Sequence, residues 1–267
     1  LTTLLVVKPD QLFGKRGKLG LIAVNCTFEK VKEFIHTHRT KETTIGKATD
    51  RLTHFLIEPF IPHTEEYYLS FTSERDGINI SFSTQGGVEV EENWNKVKRC
   101  FLPTLENISE IAIEELLREV SIGQKKNISL FITTILTFYK DLDFTYLELN
   151  PFTIDDYDSI HILDTVAQVD DCASFKHSEE WTNLFFPKAF GQKSLPEEEF
   201  IESIDKESGA SLKLTILNPK GRIWNILSGG GASIIYLDTI ANLGKQHEIA
   251  NYGEYSGNPT TEESYQY

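Results

Sequence analysis

The sequence predicts an α/β protein in two parts, and three observations carry that reading. The segments HFLIEPFIPH (54–63), YYLSFTS (67–73) and INISFST (78–84) alternate or run apolar with the period of strands. SEIAIEELLREV (109–120) and ISLFITTILTFYKDL (128–142) carry helical periodicity instead. Near the end, SLKLTILNPKGRIWNILSGGGASIIYLDTIANLGKQHEIANYGEYSG alternates strand, turn, strand, glycine turn and helix, the order of an α/β unit.

Taken in chain order, Leu4 to Val7 read as a buried strand, a glycine-rich basic loop comes next, and Leu19 to Val24 resume an apolar run. Lys30 to His38 has helical periodicity, and the three segments between 54 and 84 read as strands of one mixed sheet. Of the two helices after them, the second is apolar on most faces and is expected to be well buried. The strands FTYLELNPF and SIHILDTVA flank an acidic turn, Asp155, Asp156, Tyr157, Asp158. A stretch rich in charge, Pro and Gly then reads as a boundary. The expected division is a domain over 1–175, a linker over 176–207 and the start of a second, α/β-type domain over 208–267.

The 26 basic and 40 acidic residues give a formal charge of -14, which disfavours a nucleic-acid or anionic-membrane surface. An anionic ligand must therefore be held locally. Cys26, Cys100 and Cys172 are far apart and outside any metal-ligand spacing, which points to a reducing, cytoplasmic setting. The sequence carries no signal peptide pattern and no long apolar span. It also has no methionine and opens in an expected strand, as a segment cut from a longer polypeptide would.

Three clusters carry candidate chemistry. Lys8, Gly14, Lys15, Arg16, Gly17, Lys18 and Gly20 combine cationic donors with glycines that let backbone N–H groups approach an anion. The same composition also suits a solvated hairpin tip, and GKRGKLG lacks the spacing of a P-loop. In the second cluster, a turn centred near Tyr157 places Asn150 and Asp164 seven residues away on either side, opposed across the hairpin, with Glu148 on the same face. Such hard oxygens suit Mg²⁺, whereas an Asn-Pro strand end beside a turn-capping Asp is the structural alternative. Third, LSGGGAS (227–233) ends a strand in three glycines, with a helix expected to begin near Ser233; anion binding at that helix start and tight packing both explain it. Pro59 and Pro62 in EPFIPH leave carbonyls outside any ladder, able to accept from a ligand amino group, although an edge strand would look the same. The seven histidines show no metal spacing, and surface or packing roles are expected for them.

These segments, with IGKAT, GGVEVEE, LNPKGRIW and NYGEYSG in the same order, resemble the ATP-grasp family, within it the succinyl-CoA synthetase β-subunit group and its ATP-citrate lyase branch. The resemblance covers nearly the whole chain. It implies an α+β ATP-grasp domain followed by the start of a Rossmann- or flavodoxin-like, CoA-ligase-type domain. Lys8 resembles the strand lysine on nucleotide phosphates, and Arg16 with Gly17 the loop that covers them. Pro59 and Ile61 resemble the connector whose backbone recognises adenine, and Glu66 the acid that holds the ribose hydroxyls. Asn150 and Asp164 resemble the Mg²⁺ ligands. Gly229, Gly230, Gly231, Ala232 and Ser233 resemble the helix start that faces a phosphorylated histidine or citryl phosphate. Gln85 and Gln168 stand where the family usually has an acid and often has a lysine.

The implied reaction consumes ATP, citrate and CoA and yields acetyl-CoA, oxaloacetate, ADP and phosphate, with ATP and Mg²⁺ held by this chain. The implied partner is a larger α-type subunit or region carrying the phosphohistidine and a citrate-synthase-like module, in a hetero-oligomer. Part of the nucleotide lobe is expected ahead of Lys8, and part of the citrate pocket beyond Tyr267. A citryl-CoA synthetase or related acyl-CoA ligase subunit, and a non-catalytic assembly subunit with a degenerate grasp fold, are the alternatives.

Overall fold

The computed structural model describes residues 3–88, 90, 93–184 and 186–267. It divides into two units, Leu1–Gly191 and Gln192–Tyr267. In the first, β1 (Leu5–Pro9) lies between β2 (Ala23–Cys26) and β5 (Phe55–Pro59) in a three-stranded antiparallel sheet. Helix α1 (Phe28–Arg39), started by Thr27 Oγ1 accepting from Lys30 N, lays Val31 on Val7 and Cys26. A hairpin of β3 (Glu42–Ile45) and β4 (Ala48–Arg51) turns through Gly46, whose φ of 61° favours glycine.

The second sheet of this unit comprises β6 (Tyr67–Glu74), β7 (Gly77–Ser83), β8 (Lys98–Pro103), β9 (Phe144–Ile154), β10 (Ile160–Ile162) and β11 (Thr165–Val169). Its order is β10–β9–β6–β7–β8, with β11 also on β9, and every pairing is antiparallel. The period of two sends Leu69, Phe71, Ile80, Phe82, Leu147 and Leu149 to one face. There they meet α2 (Glu110–Leu116) and α3 (Ile122–Asp141), which contribute Ile113, Leu116, Ile128, Ile132, Leu136 and Tyr139 to one core. Full burial of each such side chain is worth about 1.5–3 kcal/mol.

Three expectations are corrected. The segments between 54 and 84 do not share one mixed sheet: β5 pairs with β1, and the chain crosses to β6 through Phe60–Glu66, because Pro59 and Pro62 cannot donate to a continuing ladder. The apolar run from Leu19 becomes turns closed by Leu19 N on Lys15 O (3.1 Å) and Leu21 N on Arg16 O (2.9 Å), and the strand begins only at Ala23. Helix α3 buries a single stripe, leaving Leu130 and Phe138 exposed, since it packs on the sheet from one side.

In the second unit, α4 (Pro196–Glu207) precedes β12 (Ser211–Ile216), β13 (Leu227–Ser228), α5 (Gly230–Ile240), β14 (Asn251–Ser256) and α6 (Thr261–Gln266). The sheet runs β12–β14–β13, with β12 antiparallel and β13 parallel to β14, so β13–α5–β14 is a crossover unit. The expected linker over 176–207 is thus divided, its last twelve residues being α4. The reason is local: Pro196 opens the helix, Glu197, Glu198 and Glu199 fill its first turn, and Ile201 is buried. Among the described residues no helix is long and apolar enough to cross a membrane.

Candidate functional site

The face of the second sheet turned away from the helices is polar, and alternation puts the candidate residues there. Ser70 opposes Glu148 and Ser81, while Glu148 opposes Val166 on its other side. Pairings of 160–162 with 154–152 and of 165–168 with 149–146 leave Asn150 and Asp164 opposite each other, and Asn150 N donates to Asp164 O at 3.0 Å. The Asn150–Pro151 peptide is cis. Side chains on this face form a chain of hydrogen bonds. Gly87 N donates to Asn150 Oδ1 (2.7 Å), Asn150 Nδ2 to Glu148 Oε1 (3.3 Å) and the Tyr146 hydroxyl to Glu148 Oε2. Tyr68 is buried and donates to Ser70 Oγ at 3.0 Å. Burial raises the pKa of both phenols, and for Tyr146 the Glu148 carboxylate adds to it, so each remains a donor at neutral pH.

The other sheet and the loop after its β1 supply the cations. Lys8, only 6% exposed, reaches Glu58 Oε2 (3.0 Å), Asp164 Oδ1 (3.3 Å) and the Leu163 carbonyl. Arg16 Nη1 donates to Asp164 Oδ2 at 2.9 Å and Nη2 to Gln11 O at 3.3 Å, with the guanidinium over the Phe13 ring. A β-carbon on Gly17 would lie 3.6 Å from Val88 Cγ2, so the loop approaches the segment after β7. Lys8, Arg16 and Asp164 are therefore one cluster, with Asn150 adjoining it. Gln85 accepts from Lys96 Nζ at 3.3 Å, and Gln168 opposes Tyr146 at the far end of the hairpin.

The connector leaves the end of β5. Pro59 closes that strand opposite Leu5, and Phe60 N donates to Leu4 O (2.8 Å). The Ile61 carbonyl meets His63 Nδ1 at 2.7 Å, and His63 Nε2 meets Glu66 Oε1 at 3.1 Å. Glu66 also touches the next turn: Gly86 N donates to its carbonyl at 2.8 Å, and a β-carbon on Gly87 would collide with its Oε2. One dipeptide, Gly86–Gly87, thus joins the connector acid to Asn150.

The donor set fits a hard divalent cation. Asn150 Oδ1 and the Asp164 oxygens each accept one hydrogen bond here and keep a lone pair for another partner. Three or more His, Cys, Asp or Glu side chains are nowhere gathered as a metal cluster among the described residues, so water and phosphate oxygens would have to complete the shell. The Arg16 Nε donor is buried and meets no acceptor among the described residues.

Sequence reasoning passed over Glu58, His63, Gly87, Tyr68 and Tyr146. The alternation of YYLSFTS and FTYLELNPF already placed both tyrosines on the polar face. Glu58 and His63 left no local signal, because their partners are far away in the chain or depend on the connector's path.

In the second unit, α5 begins at Gly230, three residues before the expected start. Gly229, at φ 85°, caps it, its N–H donating to Tyr255 O (2.8 Å), and Ser233 N closes the first turn on Gly229 O (3.2 Å). Gly230, Gly231 and Ala232 therefore occupy the first turn, while Ser233 is buried with its hydroxyl on Gly253 O at 3.0 Å. A β-carbon on Gly230 would meet Glu254 Oε2, which the Tyr252 hydroxyl also engages; that bond, with burial, pushes Tyr252 up to about 12.

Comparison with known proteins gives concordant results. Residues 1–181 match the ATP-citrate synthase ATP-grasp domain, and residues 192–267 match the ATP citrate lyase citrate-binding domain. ATP-citrate synthase alpha chain protein 1 of Arabidopsis thaliana is 48% identical over 263 residues, which are 98% of this chain and 62% of the plant chain. Human ATP-citrate synthase is 45% identical over 98% of this chain and 24% of its own length. The structure of ATP citrate lyase from Methanothrix soehngenii in complex with citrate and coenzyme A superposes with a TM-score of 0.88 at 47% identity, covering 99% of this chain and 62% of that one. The present chain thus spans about three fifths of the plant and archaeal chains and a quarter of the human one. With both units matched in order to the domains of one family, and the polar sheet face lying in the ATP-grasp part, the chain belongs to the ATP-citrate synthase, or ATP citrate lyase, family.

Proposed function

We propose that this chain houses nucleotide activation in an ATP-citrate lyase that converts ATP, citrate and CoA to acetyl-CoA, oxaloacetate, ADP and phosphate. The observation that carries the reading is the cluster of Lys8, Arg16 and Asp164 beside Asn150, with a buried Arg16 Nε that has no acceptor among the described residues. The family membership, and solved relatives holding citrate with coenzyme A and citryl-CoA, support the substrate class.

Mg²⁺ would be held by Asn150 Oδ1 and Asp164 and would neutralise charge on the triphosphate. Lys8 Nζ donates to phosphate oxygens from a fixed strand position, and Arg16 Nε adds a donor from the loop, opposing the charge that develops on the transferring γ-phosphoryl group. Gly17 allows that loop to lie close over the phosphates. The backbone at Pro59 and Ile61 faces the adenine, and Glu66 accepts from the ribose hydroxyls. No residue of this chain acts as a covalent nucleophile: the phosphoryl group passes to a histidine of a partner subunit or region, then to citrate. The start of α5, Gly229 to Ser233, directs the N–H groups of Gly230, Gly231 and Ala232 and the positive end of its dipole at the anionic intermediate.

The partner is a larger subunit or region with a citrate-synthase-like module. The resemblance implies an α-type partner, although the plant relatives of this chain are themselves named alpha. Three unpaired cysteines support a cytoplasmic setting. The test supplies the full-length chain and its partner with citrate, ATP, Mg²⁺ and CoA. Oxaloacetate and acetyl-CoA should form together. Accumulation of citryl-CoA instead would assign a citryl-CoA synthetase, and turnover of succinate in place of citrate would refute the reading.

A further inference from the structure

We propose that His63 is a positioning residue of the nucleotide site, its ring bridging the Glu66 carboxylate and the connector carbonyl. Its two ring nitrogens lie 2.7 Å from the Ile61 carbonyl and 3.1 Å from Glu66 Oε1. A carbonyl and an ionised carboxylate only accept, so the ring is the donor in this bridge, and a ring flip would set carbons against both oxygens.

Among the described residues no other ion pair competes for this role. On the same segment, Glu65 accepts from the Tyr67 hydroxyl (2.8 Å) and from Gln124 Nε2 on α3 (3.2 Å). On the two sheets, Glu58 is held by Lys8 at 3.0 Å, and Asp164 by Lys8 and Arg16. The Gly86–Gly87 turn brings no charge. Glu66 is therefore the acid that faces His63, and the pair is half-buried, at 19% and 40% exposure. Oε1 meets His63, and Oε2 lies where a β-carbon on Gly87 would stand, which places the carboxylate between the ring and the turn.

The inference rests on the proposed nucleotide site, in which Glu66 receives the ribose hydroxyls. His63 holds that acceptor in place, so the affinity gained from the ribose hydroxyls depends on the ring.

The test measures, by calorimetry, binding of a non-hydrolysable Mg-ATP analogue and of its 2′,3′-dideoxy counterpart to the full-length chain assembled with its partner. In His63→Ala, affinity for the hydroxylated analogue should fall about five- to tenfold with an unchanged melting temperature, and His63→Gln, whose amide offers a donor, should recover part of the loss. The dideoxy analogue, which gives Glu66 nothing to accept, should bind the native and His63→Ala proteins alike. Equal affinities of the native and His63→Ala proteins for the hydroxylated analogue, or the same fall with the dideoxy analogue, would overturn the role of His63. Absence of nucleotide binding in the native protein would overturn the nucleotide reading itself, and the positioning role with it.

Discussion

Gly87 joins the connector acid to the Asn150 amide, and Gly87→Ala separates what that joint does for folding from what it does for binding. The residue has φ 64°, a conformation that costs a side-chain-bearing residue about 1–2 kcal/mol. Its N–H, which donates to Asn150 Oδ1 at 2.7 Å, is untouched by the substitution. The new β-carbon would collide only with Glu66 Oε2, the end of a flexible side chain that can swing away at little cost. The stability loss should therefore stay near the backbone strain, about 2–8 °C in melting temperature for a unit of this size. Binding should suffer more, because the displaced carboxylate gives up charge-assisted hydrogen bonds to the ribose worth about 1.5–3 kcal/mol, or roughly ten- to a hundredfold in Mg-ATP affinity. Calorimetric titration and a melting curve read the two effects separately. Adding Glu66→Ala should cost little more, since both substitutions remove the same contact. Native affinity in Gly87→Ala, or losses that add in the double variant, would show that Gly87 does not act through Glu66.

Asp164→Asn should leave folding intact, as the backbone bond from Asn150 N remains, yet reduce Mg²⁺-dependent phosphorylation of the partner histidine by about a hundredfold or more; near-normal phosphoryl transfer would remove Asp164 from the metal site. Binding of ATP in the presence of a chelator should be about tenfold weaker or worse than with Mg²⁺, because Glu58 and Asp164 already cancel Lys8 and Arg16; equal affinities would contradict that charge balance. Asp143 is held below the ordinary carboxylate range by hydrogen bonds from Lys176 and then His177, against the opposing effect of burial. A depressed acid stabilises the fold above its unfolded pKa, and that contribution is lost as pH falls through the folded one, so acid should loosen this unit below about pH 4. Asp143→Asn should flatten the acid limb of the melting profile, and an unaltered limb would show that the cluster carries no such linkage.

Features written in neighbouring residues were legible from the sequence. The hairpin register came from a turn centred at Tyr157, and the fold shows why that centre is fixed: Asp155 Oδ1 accepts from Tyr157 N and Ser159 N, both at 2.9 Å. The two faces of the second sheet were plain over most strands, whereas register shifts along β9 bring both Leu149 and Phe152 to the core, which alternation alone does not show. Choice of strand partner was not, since FLIEP and YYLSF offer a similar pattern and only the prolines after Phe55–Leu56 mark where one sheet ends. Helix α4 carried a readable start in Pro196 and three glutamates, but the charge and proline around it read as linker composition. Glu58 was illegible for a physical reason: its salt bridge to Lys8 arises from pairing across about fifty residues of chain.

That salt bridge bears on how an acidic chain holds a polyanion. Two cations, Lys8 and Arg16, sit among two carboxylates, Glu58 and Asp164, so the ligand-free cluster is formally neutral and both cations are held rigid by ion pairs. A cluster of bare cations would attract phosphate strongly but would repel itself and wander; one balanced by acids is ordered but has no surplus to offer a triphosphate. The acids differ, however, in what else surrounds them. Glu58 lies on β5 against the lysine, whereas Asp164 adjoins Asn150 and the hard oxygens of β9. A divalent cation at Asp164 would satisfy that carboxylate from the other side and release Lys8 and Arg16 toward the phosphates. Metal and nucleotide binding would then be coupled through one carboxylate, despite a net charge of -14.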